Sequence, residues 1–211
     1  MPASPSQPKQ AHPNPGQIES ILSTPGILRA AVAVAACAGS KNPSTGRTGL
    51  PASPAVGLRV VNGFIQVWAG DGAILAILNQ RTDLERTEPF YLDGDDLREL
   101  VLPAELRRCT TTVRGNRIQI TASGWTGSIR IRRRGPFDPA GAILGFLLAD
   151  HRRCPPPPHQ SARLLAGPRA RWFFPTFPFQ PSTRMAALSK RRCVIVAAAP
   201  INHRKAMPPC R

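Results

Sequence analysis

Proline is scarce in one part of this chain and abundant in the rest. Of the 24 prolines in 211 residues, nine fall in residues 1–56, two in 57–135 and thirteen in 136–211. Because proline lacks a backbone N–H and interrupts helices and sheet ladders, only the middle is free to form regular structure over a long stretch. We therefore expect a disordered segment at 1–17, one folded domain at 18–135 and a largely disordered or out-of-frame tail at 136–211.

Acidic residues are also few, at 12 against 28 Lys and Arg, which gives a net charge of +16. The excess is uneven, at +6 over residues 1–135 and +10 over residues 136–211. A basic chain favours a polyanionic partner such as nucleic acid. Arg, Pro and Ala are also typical of GC-rich DNA translated in an unselected frame. Translation of the tail in a shifted frame is therefore an alternative interpretation. Reading the other two frames beyond codon 136 would separate these alternatives.

The sequence lacks the motifs of common enzyme classes. It has no Gly-rich phosphate loop, no Ser-His-Asp order and no H-E-x-x-H. Asp71 stands between glycines, which is typical of a turn, and Asp93, Asp95 and Asp96 look like the start of a helix rather than a catalytic acid pair. We expect no catalytic residues, no cofactor and no enzymatic activity.

A metal site is not expected either. The five cysteines include no C-x-x-C pair, and they are Cys37, Cys109, Cys154, Cys193 and Cys210. His151, Cys154 and His159 have ligand-type side chains, but four prolines lie within that spacing and stiffen it against tetrahedral zinc coordination. No run reaches the roughly 18–20 apolar residues that cross a bilayer. The expectation is a cytoplasmic protein with free thiols and no membrane association.

Two hairpins are the strongest local features. Residues 58–68 alternate around Asn62-Gly63, a dipeptide favoured in type I′ turns because both central residues need positive φ. Residues 110–121 alternate around Gly115-Asn116, a weaker signal of the same kind. Apolar run 73–78 predicts a third strand. In the last strand, Ile129 and Ile131 alternate with Arg130 and Arg132, which indicates a basic outer face.

The remaining signals predict two helices and a short strand. Thr24 and Pro25 suit a helix start, and apolar residues follow at spacings of three and four until Gly39. A second helix is predicted from Asp93 to Val101, with acidic residues in its first turn, where the helix dipole favours them. The stretch 89–92 precedes it and, with its leading proline, suits an edge strand.

Residues 18–135 resemble one domain of the bacterial sliding clamp, the beta subunit of DNA polymerase III, and in particular its phage-like relatives. Five stretches carry the resemblance in order: 27–35, 57–67, 69–76, 89–100 and 113–120. Residues 69–76, Ala-Gly-Asp-Gly-Ala-Ile-Leu-Ala, are similar to the family's Ala-Thr-Asp-Gly-His-Arg-Leu-Ala, although Gly70 and Ala73 replace the Thr and His. The resemblance implies an α+β fold in which two helices pack on an antiparallel sheet.

The resemblance also implies a function. Clamp domains join into a ring around duplex DNA and contact its phosphates without base readout. The expected DNA-binding residues are the cations on or beside the helices: Arg29, Arg98, Arg107 and Arg108. A bacterial clamp chain has three such domains and this chain has room for one, so a homo-oligomer is expected, with double-stranded DNA and DNA polymerase as partners.

Two alternatives remain open. The chain could be a basic, partly disordered protein that binds nucleic acid non-specifically through its tail, where aromatic residues near Arg169, Arg171 and Arg184 could stack on single strands. It could also be a truncated or frameshifted product without activity.

Overall fold

The structure is a computed structural model that describes residues 14–39, 53–71, 74–133, 139, 151–154, 156–157, 160–175, 184–188 and 192–197. The helices are α1 (Pro15–Leu22), α2 (Pro25–Ala35), α3 (Gly94–Glu99) and α4 (Gln160–Ala166). The strands are β1 (Ala55–Val61), β2 (Phe64–Gly70), β3 (Ile74–Arg81), β4 (Phe90–Asp93), β5 (Thr110–Arg114), β6 (Arg117–Ala122), β7 (Trp125–Arg132), β8 (His151–Cys154), β9 (Trp172–Pro175), β10 (Arg184–Leu188) and β11 (Arg192–Ala197).

One element order occurs three times along the described chain, namely a helix followed by three strands. The first unit is α2-β1-β2-β3, and the next two add a leading strand, as β4-α3-β5-β6-β7 and β8-α4-β9-β10-β11. All strands pair antiparallel in one sheet of order β5-β6-β7-β4-β1-β2-β3-β11-β10-β9-β8. The mixed α+β architecture predicted from the sequence is therefore confirmed.

The two hairpins form where the turn residues predict them. Asn62 has φ +51° and Gly63 has φ +73°, which are the two positive values that a type I′ turn requires. In the second hairpin Gly115 has φ +59°, but Asn116 does not have a positive φ, since Asn62 is the one described non-glycine residue that does. Glycine at the first central position alone is typical of a type II′ turn.

The stretch around β4 differs from the prediction of an edge strand. β4 lies inside the sheet, where residues 55–58 of β1 pair with it on one side and Arg132 and Ile131 of β7 pair on the other. Pro89 lies immediately before β4, so its missing N–H removes no hydrogen bond from the pairing with β1 or with β7. The proline therefore marks the start of the strand and not an exposed edge.

The two predicted helices are present, and two further helices, α1 and α4, were not predicted. α2 starts at Pro25, although the Thr24 side chain makes no capping bond, and ends at Ala35 rather than Gly39. α3 is shorter than predicted, at Gly94–Glu99, with Asp93 as its cap. The sequence analysis missed α1, which starts within the segment expected to be disordered. Asn14 caps it by accepting from the Gly16 N–H at 3.1 Å.

The hydrophobic core lies between the helices and one face of the sheet. α2 contributes buried side chains at spacings of three and four, as its sequence predicts, including Ile27, Leu28, Ala31 and Val34. No single described helix is long and apolar enough to cross a membrane. Taken as a pair, α1 and α2 have the length and composition of a candidate span, but they are bent by 89° at their junction.

Part of the tail, which the sequence predicts to be largely disordered or out of frame, forms helix and strands in the described residues. β8 to β11 and α4 lie between residues 151 and 197, and β11 pairs with β3 over five residues. Val194 and Val196 are buried in the same core as α2. The strands β8 to β11 have only four to six residues, which is too short for a clear alternation of apolar and polar side chains. They join the sheet through the pairing of β11 with β3, more than 100 residues earlier, and local sequence cannot reveal that contact. The segments 1–13, 40–52 and 198–211 lie outside the described residues. So does His159, the second histidine of the set formed with His151 and Cys154.

Candidate nucleic-acid interface

Arg29, one of the four predicted DNA-contacting residues, has a structural role. It lies on the exposed side of α2, and its guanidinium donates to the carbonyl oxygens of Ala104 and Leu106 at 2.7 and 3.2 Å. Both acceptors belong to the loop that follows α3. Because a guanidinium presents five donors, Arg29 can tie this loop to α2 and still keep donors free for a phosphate.

Arg98 also holds two elements together. Its Nη1 donates to the carbonyl oxygen of Ala35 at the end of α2 and to that of Ala38 just beyond it, at 3.1 and 2.8 Å. Its Nη2 pairs with Asp95. The side chain is 35% exposed, but its charge already faces a carboxylate and the negative end of a helix dipole.

Arg107 and Arg108 are the two predicted cations that remain available. Both are exposed, and they directly follow the buried Leu106, whose carbonyl Arg29 contacts. Within the described part of the chain they make no hydrogen bond or ion pair. The structure thus brings Arg29, Arg107 and Arg108 together at one side of the helix layer, while Arg98 lies at the far end of α2.

The acidic start of α3 does not face this surface. Asp93 is 2% exposed, accepts from the N–H groups of Asp95 and Asp96, and pairs with Arg132 through an Nε donor at 2.9 Å. Asp96 accepts from Arg130 through Nε at 2.9 Å and Nη2 at 2.6 Å. Two carboxylates that would repel DNA are therefore directed to β7 and neutralised there.

The Asp96–Arg130 pair also completes the sheet. The backbone N–H of Arg130 donates to Oδ2 of Asp96 at 2.8 Å, at the point where β4 no longer pairs with β7. Hydrogen bonds from the Arg130 side chain, above all, lower the pKa of Asp96, and Asp96 in turn raises the pKa of Arg130. The sequence analysis placed Arg130 and Arg132 on an outer face but missed their carboxylate partners, which are more than 30 residues away.

The other motif residues have local roles. Asp71 accepts from the Ile74 N–H at 2.7 Å, as expected for a turn residue. Burial raises the pKa of Cys37 to about 12, with a smaller contribution from Asp71, and burial raises that of Cys193 to about 12. Among the described residues, no three His, Cys, Asp or Glu side chains are placed to hold a metal ion.

The helix layer can bind an anion only weakly by charge alone. Its four arginines are accompanied by Asp95, Glu99 and Glu105, of which the two glutamates are exposed. The donors of Arg107 and Arg108 are on a loop beside a helix, without base-reading geometry. Such an arrangement suits diffuse phosphate contact, which positions a duplex without specifying its sequence.

Comparison with solved structures identifies the fold. The chain is similar to the DNA polymerase III beta subunit from Thermotoga maritima, with 9% sequence identity over 93% of this chain and 67% of that one and a TM-score of 0.50. It is also similar to the griselimycin-bound sliding clamp from Pseudomonas aeruginosa, with 11% identity, the same two coverages and a TM-score of 0.51. The chain has a sliding-clamp fold. No protein-family model and no curated protein matches the sequence.

The structural likeness covers more of the chain than the sequence resemblance does. The sequence resemblance spans residues 18–135, whereas the structural likeness covers 93% of the chain. The chain spans about two thirds of the length of each of these two clamps. The described elements after residue 150, β8-α4-β9-β10-β11, repeat the order of β4-α3-β5-β6-β7.

Proposed function

We propose that this protein is a non-enzymatic DNA-replication accessory that binds duplex DNA non-specifically as part of a ring, in the manner of a processivity factor. The fold is the observation that carries the proposal. Helices cover one face of a continuous antiparallel sheet, and such a layer can line a hole around a duplex while the sheet forms the outside. Further copies of the chain complete the ring, and a DNA polymerase is the partner that would use it.

The local electrostatics support DNA contact at the helix layer. Arg107 and Arg108 are exposed and unpaired among the described residues, and α3 directs Asp93 and Asp96 to Arg132 and Arg130 instead of to the helix surface. Two phosphate contacts per copy give weak binding that depends on salt. A ring of several copies would add such contacts and retain the duplex by topology.

Retention on closed circular DNA tests the topological part. The full chain is incubated with relaxed circular plasmid, and retained protein is measured by gel filtration before and after the plasmid is linearised with a restriction enzyme. We expect loss of retained protein after linearisation, because a ring slides off an end. Equal retention on both forms would contradict the proposal.

Paired substitutions test the surface. Arg107→Gln/Arg108→Gln should reduce the salt slope of duplex binding by about 1.8, from about 0.9 per lost phosphate contact. Arg81→Gln/Arg86→Gln, which removes two exposed arginines elsewhere, is the control of equal charge. Equal slopes for the wild type and the Arg107/Arg108 variant would exclude the helix layer as the DNA surface.

The second candidate is binding through the basic tail, favoured by the net charge of +10 in residues 136–211. Deleting the tail is a poor test because it removes β11 from the β3 edge. Replacing the exposed arginines Arg163, Arg169 and Arg171 by Gln removes charge while leaving that pairing in place. A larger loss of binding here than in the Arg107/Arg108 variant would favour the tail.

A further inference from the structure

The nine residues that β5, β6 and β7 place on their outer face all have hydrogen-bonding side chains, and the carboxylates of Asp93 and Asp96 contact this face at Arg130. Cross-strand partners point to the same face, and the register fixes which residues share it. The inner partners include Ile118, Ile120 and Ile129, which are fully buried. The outer residues are Thr110, Thr112, Arg114, Arg117, Gln119, Thr121, Thr126, Ser128 and Arg130. All are exposed except Arg130, whose side chain is 39% exposed.

Three arginines form a row across this outer face. Arg114 is opposite Arg117, and Arg117 is opposite Arg130. Directly opposed side chains have Cβ atoms about 4.5–5.5 Å apart, and like charges in such pairs are destabilising. Arg130 has Asp96 as a partner, but across the described chain no carboxylate lies within ion-pair distance of Arg114 or Arg117. Among the described residues, Arg117 donates a 3.3 Å hydrogen bond to the Ser128 hydroxyl, and its charge also acts on Asp96 from beyond ion-pair distance and helps to lower the pKa of that carboxyl.

We propose that this outer face binds the phosphate backbone of duplex DNA, as a contact surface separate from the helix layer. A phosphate between Arg114 and Arg117 would relieve their repulsion and accept from both guanidinium groups. The neighbouring Thr, Ser and Gln side chains supply further donors of the kind that commonly contact phosphate and sugar. At a strand spacing of about 4.8 Å, the three strands present a face about 10 Å across, which can contact phosphates along one side of a duplex.

The composition of the face favours a duplex over other polyanions. Single-stranded nucleic acid is usually bound with aromatic side chains on which bases stack, and no aromatic residue is among the nine outer residues. A protein partner needs buried aromatic or aliphatic anchors, and the face has none. Contact through phosphates alone, independent of base sequence, is what these side chains can provide.

This surface is formed by the side chains of β5, β6 and β7 that point away from the buried isoleucines, with α3 touching it at Asp96. The inference therefore goes beyond the proposed function and does not depend on it. The test is titration of the full chain into a fluorescent 20-base-pair duplex between 50 and 300 mM NaCl, with Arg114→Gln/Arg117→Gln and the two arginine pairs defined above. We expect Arg114→Gln/Arg117→Gln to lower the salt slope by about 1.8. Arg114→Lys/Arg117→Lys should retain the slope, and Arg81→Gln/Arg86→Gln should leave it nearly unchanged.

The outcomes separate the two surfaces. A reduced slope in the Arg114/Arg117 variant alone supports the outer face and contradicts the helix-layer proposal, whereas a reduced slope in the Arg107/Arg108 variant alone does the reverse. Equal losses in all three Gln pairs would overturn the inference, because they would show a dependence on total charge. The inference would also be overturned if Arg114→Gln/Arg117→Gln lost binding to labelled polyglutamate while its salt slope for the duplex stayed that of the wild type. That result would favour an acidic protein partner. Thermal melting of each variant confirms that it is folded.

Discussion

Trp68 covers Gly57 across the β1–β2 pair, and the contact leaves no space for a side chain at residue 57. A Cβ atom there would lie 2.2 Å from Cε2 and 2.3 Å from Cζ2 of the indole. The ring is 1% exposed and meets Tyr91 edge to face, with centroids 6.3 Å apart. The Arg59 guanidinium carbon lies 5.4 Å from the ring centroid, within the range of a cation–π contact.

Gly57→Ala should therefore destabilise the fold by about 1–3 kcal/mol, the usual range for overpacking. Urea denaturation followed by Trp fluorescence and circular dichroism measures the change. Gly16→Ala is the matched control, because a Cβ there meets only Asn14 Oδ1 at 3.7 Å, and it should have little effect. Adding Trp68→Leu to Gly57→Ala should recover part of the loss. Additive effects of the two substitutions would contradict a direct clash.

Much of the sheet could be predicted because its signals are local. Asn62-Gly63 determines the first turn, and the alternation of Ile118 and Ile120 with Arg117 and Gln119 correctly assigned the two faces of β6. The interior position of β4 could not be predicted, since it depends on pairing with both β1 and β7. The end of α2 was also misplaced, because Arg98, from α3, donates to the carbonyl oxygens there.

The candidate site was predicted less well than the fold. Charge and helix position selected Arg29 and Arg98, but the backbone acceptors that hold their guanidinium groups are about 60 to 77 residues away in sequence. Local sequence likewise gave no sign that Asp96 and Arg130 are partners. The roles of these residues depend on tertiary contacts, whereas Arg107 and Arg108 are exposed and lack such contacts among the described residues, and their contact with DNA stays a prediction.

Asp96→Asn should lower the melting temperature at pH 7 by about 2–6 °C, because it weakens the charged hydrogen bonds to Arg130. The pKa of Asp96 is below its usual value of 3.8 in the folded protein. Its contribution to stability is therefore fully present above about pH 4 and is lost as the pH falls through the folded-state pKa. The difference between wild type and variant, measured by thermal melting from pH 7 to pH 2, should shrink only in the acidic range.

Glu99→Gln provides the control for Asp96, since Glu99 is an exposed carboxylate on the same helix that forms no ion pair with any other described residue. It should leave both the melting temperature and its pH dependence unchanged. A constant difference between wild type and Asp96→Asn from pH 7 to pH 2 would mean that the charge of Asp96 does not contribute.

Glu19 protects the edge of the sheet at β5. Its Oε1 accepts from the Val113 N–H at 2.7 Å, and its carbonyl oxygen accepts from the Thr111 hydroxyl at 2.7 Å. Exposed strand edges promote pairing between chains. Glu19→Ala should therefore increase concentration-dependent association, measured by light scattering, whereas Glu19→Gln keeps an amide oxygen as acceptor and should associate less. Identical scattering from the two variants and the wild type would show that the Glu19 side chain does not protect this edge.

The pairing of β11 with β3 should protect Cys193 from thiol reagents. Cys193 is 6% exposed, and burial raises its pKa to about 12, so both access and the thiolate fraction are low. Val194→Asp places a charge at a fully buried position of β11 and should release the strand. Site-resolved mass spectrometry after iodoacetamide treatment should then show faster labelling of Cys193 in this variant. Leu164→Asp, at a position that is 71% exposed on α4, should not change the rate. Equal Cys193 labelling in wild type and Val194→Asp would mean that this edge of β3 is not covered by β11, and the tail would then contribute charge to the protein but no part of its sheet.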